Sequence, residues 1–278
     1  MHGSTFPAAL SVNYRIEGRS WADDLHDRGF DVWSFDLPGY GGSDRPALMQ
    51  RTHVARSEAP GRAVEAAGQI ERVVSHMREQ TAGARISIIA HSWGSIPAGL
   101  LAGRHAGWVD RLVLFGPIAQ RDGGASAVGR VPPAILVSAV DQWNSFQSRV
   151  PSDSPLPICK DRFDIWADAY LASDPTSNER TPPSARVPSG PDLDFEDAWS
   201  GHFPYDLSTV RAPTLIVRGE WDNITLDADA AWLVESMCNV PDGARDLKLK
   251  CGAHRMHLED NRQALFDAVG EFLSETAG

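Results

Sequence analysis

A serine, a carboxylate and a histidine stand along this chain in an order and setting suited to nucleophilic catalysis: Ser92, Asp222 and His254. Ser92 follows the run Ile86-Ser87-Ile88-Ile89-Ala90-His91, whose β-branched residues fit a buried strand. Trp93-Gly94-Ser95 and a small-residue stretch from Ile96 to Gly103 come next and can open a helix. Small residues two before and two after a serine, here Ala90 and Gly94, permit a sharp elbow that exposes the hydroxyl. Ala90 stands where glycine is usual. An ordinary strand-to-helix turn capped by Ser92 has the same local sequence, so the serine alone defines nothing.

The acid candidate lies after a second apolar run. Pro213 to Gly219 reads as a buried strand, and Asp222 falls just past its C-terminal end, where catalytic groups of open α/β sheets collect. Glu220 is the rival acid, closer to the strand, and Asp222 also suits the cap of a helix starting near Asp227. The histidine candidates follow a last alternating run, Leu247 to Cys251. His254 comes after the turn Gly252-Ala253 and is free to swing over the sheet edge, whereas His257 precedes Leu258-Glu259 and fits packing at a helix start. No third ligand stands at a fitting spacing from these two histidines, so no metal is expected.

Two further motifs complete the pattern. His2-Gly3-Ser4-Thr5 opens the chain, and Asp31 to Leu37, read as a strand, runs into Pro38-Gly39-Tyr40-Gly41-Gly42-Ser43. The three loop glycines come with no lysine and no helix-opening G-x-G-x-x-G, which argues against nucleotide binding. With the serine elbow, the post-strand aspartate and the Gly-x-His loop, these motifs resemble the α/β-hydrolase fold superfamily over residues 2 to 259. The order serine, acid, histidine is the order of that family.

The resemblance implies a Ser92 nucleophile, a His254 general base and an Asp222 that orients the imidazole. It implies an oxyanion hole made by the backbone N–H groups of Trp93 and of Ser4 or Thr5. The expected reaction is hydrolysis of a carboxylic ester, or of a related lactone or thioester, through an acyl-enzyme. The same triad serves amide and carbon–carbon bond hydrolysis, and fold alone does not separate these. Ser92 excludes the aspartate-based chemistry of haloalkane dehalogenases. The loop His2 to Pro7 lacks the His-Gly-Gly-Pro-Gly pattern of iminopeptidases. Non-catalytic receptors on this fold often lose a triad member, and all three are present here. No cofactor is expected.

The elements that must position these residues read as a parallel, doubly wound α/β sheet with an inserted cap. Core strands are predicted at 31–37, 85–91, 111–117, 213–219 and 245–251, and a sheet-packed helix over 62–80. The core comprises 1–117 and 213–278, and the cap 118–212, which holds eleven of the 19 prolines, so long regular helices are not expected in much of it. Trp143, Phe146, Phe163, Trp166, Tyr170, Trp199 and Phe203 are candidates to line an apolar substrate pocket, each with the cap's own small core as the plainer reading. Family members carry strands before the His-Gly loop, the third running directly into it. Here the loop begins at residue 2, which suggests a start assigned too late and a sheet without its usual first strands. The segment from His2 to Thr5 is therefore expected to be displaced.

Composition bounds the rest. The chain has 278 residues, 42% of them hydrophobic, enough for a core and a cap. The net charge of −11 argues against nucleic-acid partners and mildly disfavours anionic substrates. No run of about 18 apolar residues is present, so no membrane span is expected. The odd, motif-free cysteines point to a cytoplasmic protein, and the resemblance implies a small acyl substrate. Cys159, Cys238 and Cys251 form no motif and read as reduced packing residues.

Overall fold

The computed structural model describes residues 1–123 and 129–275. In chain order the elements are α1 (Trp21–Asp27), β1 (Val54–Ala55), α2 (Ala63–Gln80), β2 (Ile86–His91), α3 (Ser95–Arg104) and β3 (Val109–Phe115). There follow β4 (Arg130–Val131), β5 (Ala134–Ser138), α4 (Ala139–Phe146), α5 (Lys160–Ala172), β6 (Ser184–Pro188) and α6 (Gly190–Trp199). The chain ends with β7 (Thr214–Gly219), α7 (Asp227–Ser236), β8 (Arg245–Leu249) and α8 (Arg262–Ser274).

The central sheet is parallel, in the order β2-β3-β7-β8. Its inner strands β3 and β7 are almost wholly buried because both faces are covered, and the edge strand β8, Arg245–Leu249, is polar and largely exposed. Leu112, Leu114 and Ile216 pack with Ile70, Val74 and Leu101 of α2 and α3 on one face. Val113, Phe115 and Val217 pack with Trp21 and Leu25 of α1 and Leu265, Phe266 and Val269 of α8 on the other. Each such side chain fully removed from water contributes about 1.5–3 kcal/mol. The four strands run in register, so Ser92, Gly116 and the 220–222 turn all leave the sheet at its C-terminal edge.

Residues 31–37 form no strand, contrary to the expectation. A groove of about 390 Å³ lies between them and β2, lined by Val32, Trp33, Phe35, Ile86, Ile88 and Ile89. The separation denies residues 31–37 a backbone ladder, and a strand is defined by that ladder. At the top of the groove Met1 pairs with β2. Its amino group donates to the Ile89 carbonyl at 2.7 Å, and the His91 N–H donates to its carbonyl at 3.1 Å.

These bonds also correct the expectation of a displaced front segment. His2 to Thr5 sits against the elbow. The Leu37 N–H donates to His2 Nε2 at 3.1 Å, and the Tyr40 hydroxyl donates to the Ser4 carbonyl at 2.7 Å. Backbone and side-chain bonds to β2 and to the 37–40 turn are enough to seat it.

Between β3 and β7 the chain forms β4 to α6. β5 and β6 pair antiparallel, and β4 pairs with β1. The prolines do not prevent a 13-residue helix here, because α5 lies between Pro157 and Pro175 and contains none. The three cysteines are exposed and free, not packed inside. Among the described residues no helix is long and apolar enough to cross a membrane.

Candidate active site

Ser92 sits between β2 and α3 with φ at +55°, the left-handed region that only a tightly determined turn imposes on a non-glycine residue. Its neighbours make the turn possible. Ala90 is fully buried, and a Cβ on Gly94 would stand 2.5 Å from the His2 carbonyl oxygen. A Cβ on Gly3 would meet that of Ser92 at 3.2 Å, so the opening loop reaches the serine only because it lacks a side chain there.

The Ser92 Oγ lies 2.9 Å from His254 Nε2, and His254 Nδ1 lies 3.0 and 3.2 Å from the two oxygens of Asp222. A carboxylate facing Nδ1 keeps the proton on that nitrogen, leaving Nε2 free to accept from the serine hydroxyl. Asp222 is buried, which opposes its ionisation. The facing His254 and the N–H groups of Ile224 and Thr225, at 2.7 and 3.0 Å, outweigh burial and hold its carboxyl below the usual range. Gly116, after β3, has φ at +54°, and a Cβ there would stand 2.9 Å from His254 Nδ1 and 3.0 Å from Asp222 Oδ2. Only glycine leaves room for this pair.

The rival residues lie elsewhere. Glu220 is exposed and accepts from the Cys251 N–H. His257 hydrogen-bonds the Ser11 hydroxyl at 3.1 Å, and burial, with the Arg255 and His254 charges, pulls it down to about 3. It is a neutral packing residue.

Several residues that the sequence reading missed hold the His254 loop. His91 Nε2 donates to the His254 carbonyl at 2.9 Å. Glu259 Oε2 accepts from the Ala253 N–H at 2.9 Å, and its carboxyl is buried enough to be pushed up to about 8. Glu259 sits five residues after His254 in a short turn, a spacing that marks a side chain able to fold back on its own loop. Trp93, fully buried, donates its indole N–H to Asp194 Oδ2 at 2.8 Å. The same carboxylate accepts from the Ala63 N–H at 2.7 Å and from Arg62 Nε at 2.6 Å, so α6, α2 and the elbow meet at one buried group.

A pocket of about 390 Å³ opens over Ser92 and His254. Ser4 and Thr5 line it, with Phe6, Phe195, Trp199 and Ile224 as its apolar wall. Asp192, Glu196, Ser145 and Arg255 supply polar groups. Burial, then the Glu196 charge, pushes Asp192 up to about 6.

Of the aromatic candidates only Trp199 lines this pocket. Phe146, Phe163, Trp166 and Tyr170 form a buried cluster with Trp143 packed against it. Phe163, Trp166 and Tyr170 lie on one face of α5, and the Trp166 and Tyr170 rings stack at 5.3 Å. That face belongs to the segment's own core. Phe203 packs on Tyr205 and Trp232.

The sequence profile described as "Alpha/beta hydrolase family" matches residues 1–268. No curated protein matches the chain by sequence. Among solved structures, a monoacylglycerol lipase of Paleococcus ferrophilus is similar at 18% identity and a TM-score of 0.58, over 98% of this chain and 91% of that one. A meta-cleavage product hydrolase of Pseudomonas fluorescens IP01 is similar at 16% identity and a TM-score of 0.65, over 98% and 88%. A thioesterase domain from the curacin biosynthetic pathway is similar at 18% identity and a TM-score of 0.57, over 96% and 88%. At these identities the likeness is one of fold.

Proposed function

The chain belongs to the alpha/beta hydrolase family, and from that premise we propose that it cleaves a carboxylic ester, or a related lactone or thioester, through an acyl-enzyme on Ser92. The observation that carries this reading is the continuous chain from Ser92 Oγ through His254 to Asp222, at 2.9 and 3.0 Å.

In this mechanism Ser92 Oγ attacks the substrate carbonyl carbon as its proton passes to His254 Nε2. Asp222 stabilises the imidazolium without itself taking the proton. The negative charge on the carbonyl oxygen is met by the N–H of Trp93 and that of Ser4 or Thr5, each such donor contributing about 3–4 kcal/mol at the transition state. Collapse of the adduct breaks the bond to the leaving group, which takes the proton from His254. Water then attacks the acyl-enzyme, giving its proton to His254, and the acid product leaves with Ser92 restored. Residues 118–212 act as a cap over this pocket, with Trp199, Phe195 and Asp192 of α6 as its contribution.

A fluorophosphonate probe tests the reading. The intact protein should gain one phosphonyl group, mapped to Ser92, and Ser92→Ala should gain none while losing about 10⁴–10⁶ in kcat. Labelling at another residue, or full activity in Ser92→Ala, overturns it.

A further inference from the structure

We propose that Arg255 is an anion-binding residue of the substrate pocket, and that the substrate is an acyl compound carrying a second, ionised carboxyl group. This rests on the hydrolase reading and narrows it.

Arg255 is 6% exposed, yet it forms no ion pair among the described residues. Its Nη2 donates to Gln142 Oε1 at 3.1 Å and its Nη1 to the Ser145 hydroxyl, both neutral acceptors. Its Nε–H is buried and has no partner among the described residues. The other two buried arginines each have a carboxylate within ion-pair distance. Arg218 meets Asp227 and Asp246, and Arg111 has Glu275 at 3.9 Å. A buried guanidinium without a counter-charge is costly, and a protein retains one where a ligand supplies the charge.

The location fits a substrate. Arg255 follows His254 directly and lines the same pocket as Ser92. The Phe146 and Phe6 rings lie 5.2 and 5.9 Å from the guanidinium carbon, within cation–π distance, and exclude water, which strengthens any ion pair formed there. No neighbouring acid stands within ion-pair distance of Arg255 among the described residues. Asp222 faces His254, Glu196 is paired with Arg56 at 2.8 Å, and Glu259 accepts from the Ala253 N–H, so the Glu259 and Asp222 charges reach the guanidinium only through space. Asp192 keeps the α6 side of the pocket acidic, so a carboxylate is directed to the Arg255 side. A planar, two-oxygen anion matches the guanidinium fork.

Two esters of equal acyl length decide the matter, 4-nitrophenyl hydrogen glutarate, which is anionic, and 4-nitrophenyl pentanoate, which is neutral. The wild-type protein should favour the anionic ester by about tenfold or more in kcat/KM. Arg255→Gln should lower that preference about 10–100-fold, and Arg255→Lys should restore part of it, as expected for one charge-assisted contact. Free glutarate should compete against the neutral ester in the unaltered protein, and glutaramide should not, a result independent of how any variant folds. A wild-type preference for the neutral ester, or an Arg255→Gln protein that loses both activities in equal proportion, overturns the proposal while leaving the hydrolase reading intact. If Ser92 is not labelled and neither ester is cleaved, the hydrolase reading fails. Calorimetry with glutarate then still decides for or against Arg255, by binding that Arg255→Gln abolishes or by no binding at all.

Discussion

The placement of Ser92, Asp222 and His254 is legible in the sequence because each stands past a strand's C-terminal end, Ser92 and His254 next to small residues. The residues that hold them are not, because they act across the fold. Glu259 is the clearest case. It binds the backbone beside His254, its Oε1 has no partner among the described residues, and its carboxyl is pushed from 4.5 up to about 8 by burial. A carboxyl raised on folding favours the protein in its protonated form. Its stabilising contribution is therefore whole below about pH 4.5 and is lost as pH rises through about 8. Unfolding free energy measured by denaturant between pH 5 and 8.5 should decline by on the order of a few kcal/mol from this group. Glu259→Gln should flatten that decline, and an unchanged slope in the variant would show that Glu259 is ionised throughout. Asp222 has the opposite sign, because its carboxyl is lowered, and its contribution is lost only on acidification.

At the scale of elements, the sheet strands and α2 are readable from apolar periodicity, and the segment between β3 and β7 is not. Its aromatics look like a pocket wall in the sequence because nothing there shows that Phe163, Trp166 and Tyr170 share a helix face turned onto their own cluster. The wall comes instead from α6, a helix whose sequence, Gly190-Pro191-Asp192-Leu193-Asp194, announces no site. Through Asp194 this helix grips the Trp93 indole, and Trp93 is the residue whose N–H faces the developing oxyanion in the proposed mechanism. Asp194 is thus a positioning residue. Asp194→Asn should lower kcat on 4-nitrophenyl pentanoate by about tenfold with little change in KM, a fraction of what loss of a whole oxyanion donor costs. A change confined to KM would place the role of Asp194 in the pocket wall alone.

Over the whole molecule, the strand that failed to form is the instructive error. Residues 31–37 have the β-branched and aromatic character of a strand, but pairing depends on what lies alongside, and alongside is a groove. Ile89 and His91 face Met1, so the alternate residues Ile88 and Ala90 face β3. The Ser87 and Ile89 N–H groups then point into the groove. In amide exchange followed by NMR they should exchange at least about tenfold faster than those of Ile88 and Ala90. Equal protection would mean that the groove is closed in solution. Net charge is likewise a whole-molecule property. The overall −11 mildly disfavours anionic substrates at long range, whereas in the proposed reading the buried Arg255 cation acts on them at contact distance.

The left-handed backbone at Ser92 has a consequence for how the site works over time. A non-glycine residue in this region stores on the order of 1–3 kcal/mol, which relaxation would release if the surroundings allowed it. They do not, because Gly3 lies against the Ser92 Cβ, the His2 carbonyl lies over Gly94, and Ala90 and Trp93 are fully buried beside the turn. In the proposed mechanism the hydroxyl is aimed while the chain folds and stays aimed from one turnover to the next. Reorganisation at the serine is completed once, in folding, and is not repeated with each substrate.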